Sequence, residues 1–64
     1  PISDVYANRP GSGIRATVAV ENGAMMSFTD STTTAWNAVV AGGGANTVLA
    51  WYNSASSAWH VLGA

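Results

Sequence analysis

The chain has 64 residues, 48% of them hydrophobic and 8% charged, with a formal net charge of −1, no cysteine and one histidine. One domain of this size buries only about 60% of its unfolded surface, against an ordering cost of about 1.5 kcal/mol per residue, or on the order of 100 kcal/mol. The composition excludes disulfides and thiolate metal sites and disfavours disorder. It supplies no basic patch for nucleic acid and no apolar run of the about 18 residues that membrane insertion requires. No signal-peptide pattern is present. One histidine and three carboxylates disfavour a structural metal, and no cofactor is expected. Oligomerisation is the remaining route to stability.

Residues 1–13 hold both prolines and two of the seven glycines. They read as an extended arm or linker, with a fraying terminus as the alternative. Arg9-Pro10-Gly11-Ser12-Gly13 is a turn signal that opens a β domain over 14–64. Residues 14–20 alternate, with Ile14, Ala16, Val18 and Val20 on one side and Arg15, Thr17 and Ala19 on the other. That is the period of a strand with one wetter face. Asn22-Gly23 then predicts a type I′ hairpin turn into a second strand over 25–29, pairing Val20 with Met25 and Thr17 with Phe28.

Ser31-Thr32-Thr33-Thr34 reads as a polar loop. A short helix over 35–40 competes there with an extended crossover. The Thr run and Val39-Val40 favour the extended form, with Trp36 as its anchor. Gly42-Gly43-Gly44 is punctuation rather than a phosphate cradle, since neither a lysine nor a helix start follows it.

Residues 48–52 and 58–62 are β-rich runs separated by Asn53-Ser54-Ala55-Ser56-Ser57. The pattern predicts a hairpin with a five-residue loop. Trp51 then opposes Trp59, Leu49 opposes Val61, Tyr52 faces Ala58 and Ala50 faces His60. Both faces of this hairpin are largely apolar, whereas a one-sided hairpin alternates apolar with polar. A second copy of the chain is the expected cover. The fold class is therefore all-β: a small antiparallel sheet or sandwich of two hairpins, 14–29 and 47–62, with an extended N-terminal arm, completed by oligomerisation.

Catalytic chemistry is not legible. Asp4, Glu21 and Asp30 are the only carboxylates, in a chain with little material to shield a cleft. His60 with a serine and an Asp is the sharp reading. A strand histidine at a subunit boundary, or one bonded to backbone, is the favoured one. The chain is expected not to be an enzyme, with no catalytic, cofactor-binding or metal-binding residues. The residues offered for contact are Trp36, Trp51, Tyr52, Trp59 and His60. Large aromatics at such positions anchor cores and interfaces or stack on sugar rings.

Ser27-Phe28-Thr29-Asp30, the Thr-rich stretch with Trp36, and Ala38-Val39-Val40-Ala41-Gly42-Gly43-Gly44-Ala45-Asn46 together resemble a module of tailed-bacteriophage tail fibre and tail spike proteins. In that module a strand, a polar turn and a strand opening on Trp follow, and Trp59 matches that Trp. The likeness runs from Ser27 to the end of the chain. Two features differ. The hairpin tip is longer and lacks the glycine of the usual Asp-Gly-Thr-Asn turn, and His60 stands where a basic residue commonly follows the Trp. The resemblance implies a virion structural role at the phage particle surface, homotrimeric assembly with other virion proteins as partners, and host attachment; the alternative is a small carbohydrate-binding module that binds host surface polysaccharide through exposed Trp or Tyr.

Overall fold

The computed structural model of the protein describes residues 2–64. Asn53 decides how the longest hairpin closes. Its Oδ1 accepts the Ala55 N–H at 3.0 Å, an Asx turn that ends the strand locally. Ser57 adopts φ 52°. The loop is thereby Ser54 to Ser57, and β3 (Asn46–Asn53) pairs antiparallel with β4 (Ala58–Gly63) with Asn53 opposite Ala58. Tyr52 faces Trp59, and Trp51 faces His60. The predicted pairing of Trp51 with Trp59 is wrong by one residue. Because side chains alternate with period two, that slip sends the two tryptophans to opposite faces.

β2 (Met25–Ser31) pairs antiparallel with β3, with Met26 opposite Ala50 and Phe28 opposite Val48. β1 (Ile2–Asp4) lies parallel to β2, Ile2 against Met26 and Asp4 against Phe28. The sheet order is β1-β2-β3-β4, giving a small all-β fold built on one mixed sheet. The segment expected to be an arm thus begins as an edge strand of the chain's own sheet.

The crossover between β2 and β3 is extended where it meets β4. Asn37 N–H donates to the Val61 carbonyl at 2.7 Å, Val61 N–H to Ala38 at 3.0 Å and Val40 N–H to Trp59 at 2.8 Å. Val39 bridges to His60. The crossover therefore satisfies the backbone of β4 that an edge strand would leave open.

The predicted first hairpin does not form. Residues 14–20 instead follow a 3-10 turn, Gly13–Arg15, with further turn bonds from Ala16 N–H to Gly13 and Val18 N–H to Arg15. Two causes are visible. The edge of β2 that this segment would need is occupied by β1. The Asn22-Gly23 turn is also of the wrong hand: only Gly23 has positive φ, 85°, which is type II geometry and splays flanking strands rather than pairing them. The turn instead extends the β2–β3 ladder, with Gly23 N–H donating to Tyr52 and Tyr52 N–H to Ala24, both at 2.8 Å.

One face of the sheet carries the core. Met26, Phe28, Val48, Ala50, Trp59 and Val61 are buried there under Val40 from the crossover, with Ile2, Tyr6, Val20, Ala24 and Tyr52 at the margin. Phe28 is central. Its ring lies 5.4 Å from Tyr6 and 5.4 Å, edge-on, from Trp59, which in turn meets Tyr52 at 5.6 Å. Such tilted and edge-to-face contacts contribute about 0.5–1.5 kcal/mol each beyond area burial.

The triple glycine is structural, as expected. Asp30 ties it down: Oδ1 accepts the Tyr6 N–H at 2.8 Å, and Oδ2 accepts the Gly43 N–H at 3.4 Å. Gly44 N–H donates to the Asp30 carbonyl at 2.8 Å. Ser31, buried at the irregular end of β2, donates its hydroxyl to the Thr33 carbonyl at 2.7 Å. Asp30, read from the sequence as a strand end, is thus the clamp that joins the N-terminal segment to the glycine loop.

Asp4 and Arg15 form an ion pair at 2.7 Å, and Arg15 also donates to the Asn8 carbonyl at 3.0 Å. The Arg15 hydrogen bond, aided by the Val5 N–H, holds the Asp4 carboxyl below its usual range. A carboxylate lowered in the folded state stabilises above its unfolded pKa, and that contribution disappears as pH falls through the folded value. Asp4→Asn is therefore expected to flatten the acid limb of a stability-versus-pH curve while leaving its shape near neutrality unchanged. Denaturant midpoints measured along an acid series check this.

Candidate functional site

The face opposite the core is built by the same alternation. With Val48, Ala50 and Tyr52 turned inward on β3, Leu49 and Trp51 turn outward. On β4, Trp59 and Val61 are inward, and His60 and Leu62 outward. Val40 is buried beneath the sheet, so its neighbour Val39, bridged to His60, faces out. Met25 on β2 adds 51% exposure, and Leu49 and Leu62 are each 38% exposed. Trp51 and His60 are half-buried and tilt against each other with ring centres 5.6 Å apart.

This surface carries no charge. All five charged residues lie between Asp4 and Asp30, so β3, β4 and the crossover contain none. Monomeric proteins rarely leave a contiguous apolar surface of this kind bare, and such patches mark interaction sites.

His60 is fixed at the margin of the face by hydrogen bonds at both ring nitrogens. Nδ1 lies 3.0 Å from the Asn37 carbonyl, and Nε2 lies 2.8 Å from the Ser56 hydroxyl. A carbonyl only accepts, so Nδ1 carries the proton, and in the neutral ring Nε2 accepts from Ser56. Asn37 itself sits at φ 63°, a left-handed conformation that asparagine tolerates. Trp36, beside it, is 76% exposed.

The five contact residues named from the sequence divide. Trp51 and His60 lie together on the outer face, and Trp36 projects from the turn that His60 anchors. Trp59 is 2% exposed and Tyr52 is half-buried against it, so both belong to the inner face. Trp59 is removed as a contact residue because the register slip turned it inward. Met25, Val39, Leu49 and Leu62 were not among the named residues, yet they complete the surface. Ser56 and Asn37 were not singled out at all. The Asn residues at 37 and 53 were the available signals, since Asn marks positive φ and Asx turns.

Among the described residues there is no enclosed pocket, no cluster of His, Cys, Asp and Glu able to hold a metal, and no helix long and apolar enough to cross a membrane. Compared with known protein families, with curated proteins and with solved structures, the chain matches none.

Proposed function

We propose that the protein is a non-enzymatic structural element of a bacteriophage virion, a tail fibre, tail spike or capsid-surface fibre domain. It associates with further copies of itself through its outer sheet face and contributes to host attachment at the particle surface. The observation that carries this reading is the charge-free apolar face of Met25, Val39, Leu49, Trp51 and Leu62. The resemblance of the segment from Ser27 onward to fibre and spike modules supplies the biological context.

The occupant is a second copy rather than a charged partner, because nothing on this face could pair with charge. Size favours more than one interface per chain. The longer principal extents of the molecule, 28 and 23 Å, bound a face that falls somewhat short of the about 800 Å² that each partner contributes to a standard interface. A ring of three gives each chain two contact surfaces and so makes up the shortfall. The test is the paired variant Leu49→Lys with Leu62→Lys. Both side chains are outside the core, so the fold persists by circular dichroism while the assembly mass falls to that of one chain. An unchanged mass would remove the outer face from the interface.

A second reading rests on Trp36. Its 76% exposure is held on a turn pinned at both the N–H and the carbonyl of Asn37. A rigid exposed aromatic is pre-organised to stack on a ring. In that reading Trp36 and Trp51 contact host surface polysaccharide, and added polysaccharide quenches tryptophan emission more in the unmodified chain than in Trp36→Ala.

A further inference from the structure

We infer that Ser56 is a base-activated nucleophile, a site of covalent acylation by activated esters at the margin of the outer face. The basis is the line Ser56 Oγ–His60 Nε2–His60 Nδ1–Asn37 carbonyl, with separations of 2.8 and 3.0 Å at its two hydrogen bonds. A nucleophile within hydrogen-bond reach of a base, itself oriented by a third group, is the arrangement that activates serine.

The tautomer is dictated by the fold rather than chosen. If Nε2 carried the only proton, Nδ1 would present a lone pair to the Asn37 carbonyl at 3.0 Å. The neutral ring therefore keeps Nδ1–H and leaves Nε2 free to take a proton. Asn37 is held in place by its own N–H to Val61 at 2.7 Å, and the ring rests against Trp51 at 5.6 Å. The base is thus anchored from the crossover, from β3 and from the loop at once. Ser56 is exposed on the hairpin loop, so a reagent in solution reaches it.

Ser56 Oγ has a second acceptor, the Asn53 carbonyl at 3.3 Å. When His60 is protonated, Nε2–H donates to Ser56, and the hydroxyl turns its proton to Asn53. When His60 is neutral, the shorter bond takes the hydroxyl proton. The groups facing the imidazole are Trp51, the Asn37 carbonyl and Ser56. The ion pair and the side-chain hydrogen bonds of charged residues involve Asp4, Arg9, Arg15 and Asp30 and lie elsewhere. The neutral imidazole, with Nδ1–H on the Asn37 carbonyl, is therefore the form that takes the serine proton.

With p-nitrophenyl acetate the step balances without any redox partner. Ser56 Oγ bonds to the acyl carbon as its proton passes to His60 Nε2. The carbon–oxygen bond to p-nitrophenol breaks, and Nε2 returns the proton to the departing oxygen. The products are acetyl-Ser56 and p-nitrophenol.

The experiment treats the full chain with p-nitrophenyl acetate and locates acetyl groups by peptide mass spectrometry. The sequence contains no lysine, which removes the usual competitor. Ser54 and Ser57, exposed in the same loop, are internal controls that require no variant. We expect Ser56 to acetylate at least tenfold faster than either, short of the about 10²–10⁴-fold that a positioned general base contributes within a built site. His60→Gln reduces the Ser56 rate to the level of Ser54 and Ser57. Equal rates at the three serines, acetyl on His60 alone, or a Ser56 rate that His60→Gln leaves unchanged each overturn the assignment.

Discussion

Trp59→Ala is expected to bring the domain to the edge of unfolding, while Trp51→Ala leaves the fold intact. Trp59 is inside the core, edge-on to Phe28 and against Tyr52. Truncating a buried tryptophan costs about 3–5 kcal/mol. A domain of this length has roughly 3–10 kcal/mol in total, at about 0.05–0.15 kcal/mol per residue. Trp51 is half-exposed on the other face, where the removed ring leaves no enclosed cavity. Its loss costs below about 2 kcal/mol in the single chain, within the common range for substitutions outside a core, and appears chiefly as weaker self-association. Urea unfolding followed by circular dichroism, at two protein concentrations, separates the effects. Equal losses for the two variants would mean that the tryptophans share one face, as the one-residue-shifted register would have it.

Gly44→Ala is the second large effect, and Gly43→Ala is its control. A Cβ on Gly44 would run into the carbonyl of Ser31 and the Cα of Thr32, 2.7 Å away. Both are backbone atoms where the chain leaves the irregular end of β2, so neither yields as a side-chain tip would. Overpacking of this kind costs about 1–3 kcal/mol and more where backbone must shift. The Gly44 N–H bond to Asp30 and the Asp30 clamp on Tyr6 would be pulled apart with it. Gly43 has φ 99° with open space around its Cβ position. Its substitution carries only the conformational penalty, about 1–2 kcal/mol. Thermal midpoints of the two variants should fall in that order. A Gly44→Ala protein as stable as Gly43→Ala would contradict the close approach of the glycine loop to β2.

The parts of the fold legible from sequence are those whose signals are local. The strand expected over 25–29 forms as β2, although the Asn-Gly hairpin that pointed to it does not. The apolar runs flanking the serine loop form β3 and β4, and Val39-Val40 holds the crossover extended against β4. The failures come from competition between distant segments. Residues 14–20 have a strand's alternation, but a strand needs an edge, and Ile2–Asp4 holds the only edge of β2 not taken by β3. Three residues, Ile-Ser-Asp, carry no pattern that announces a parallel edge strand. The hairpin register turned on a single side chain, Asn53, whose Asx turn shortened the loop by one residue.

That same slip explains the partial recovery of the site. Trp51 and His60 were expected on opposite faces of the hairpin and share the outer one. Trp59 was expected beside Trp51 and is instead under the sheet. The apolar character of both hairpin faces did not depend on register and survives the correction. The inner face is covered by the chain's own crossover and N-terminal segment. The outer face, with Met25, Leu49 and Leu62 on it, is exposed in the single chain.

The solution mass of the 64-residue chain, measured by light scattering over a dilution series, tests the association most directly. The expected species has three times 6.5 kDa and loses mass on dilution. A well-folded species of 6.5 kDa at every concentration would contradict it, and the exposed aromatics Trp36 and Trp51 would then be left to the polysaccharide reading.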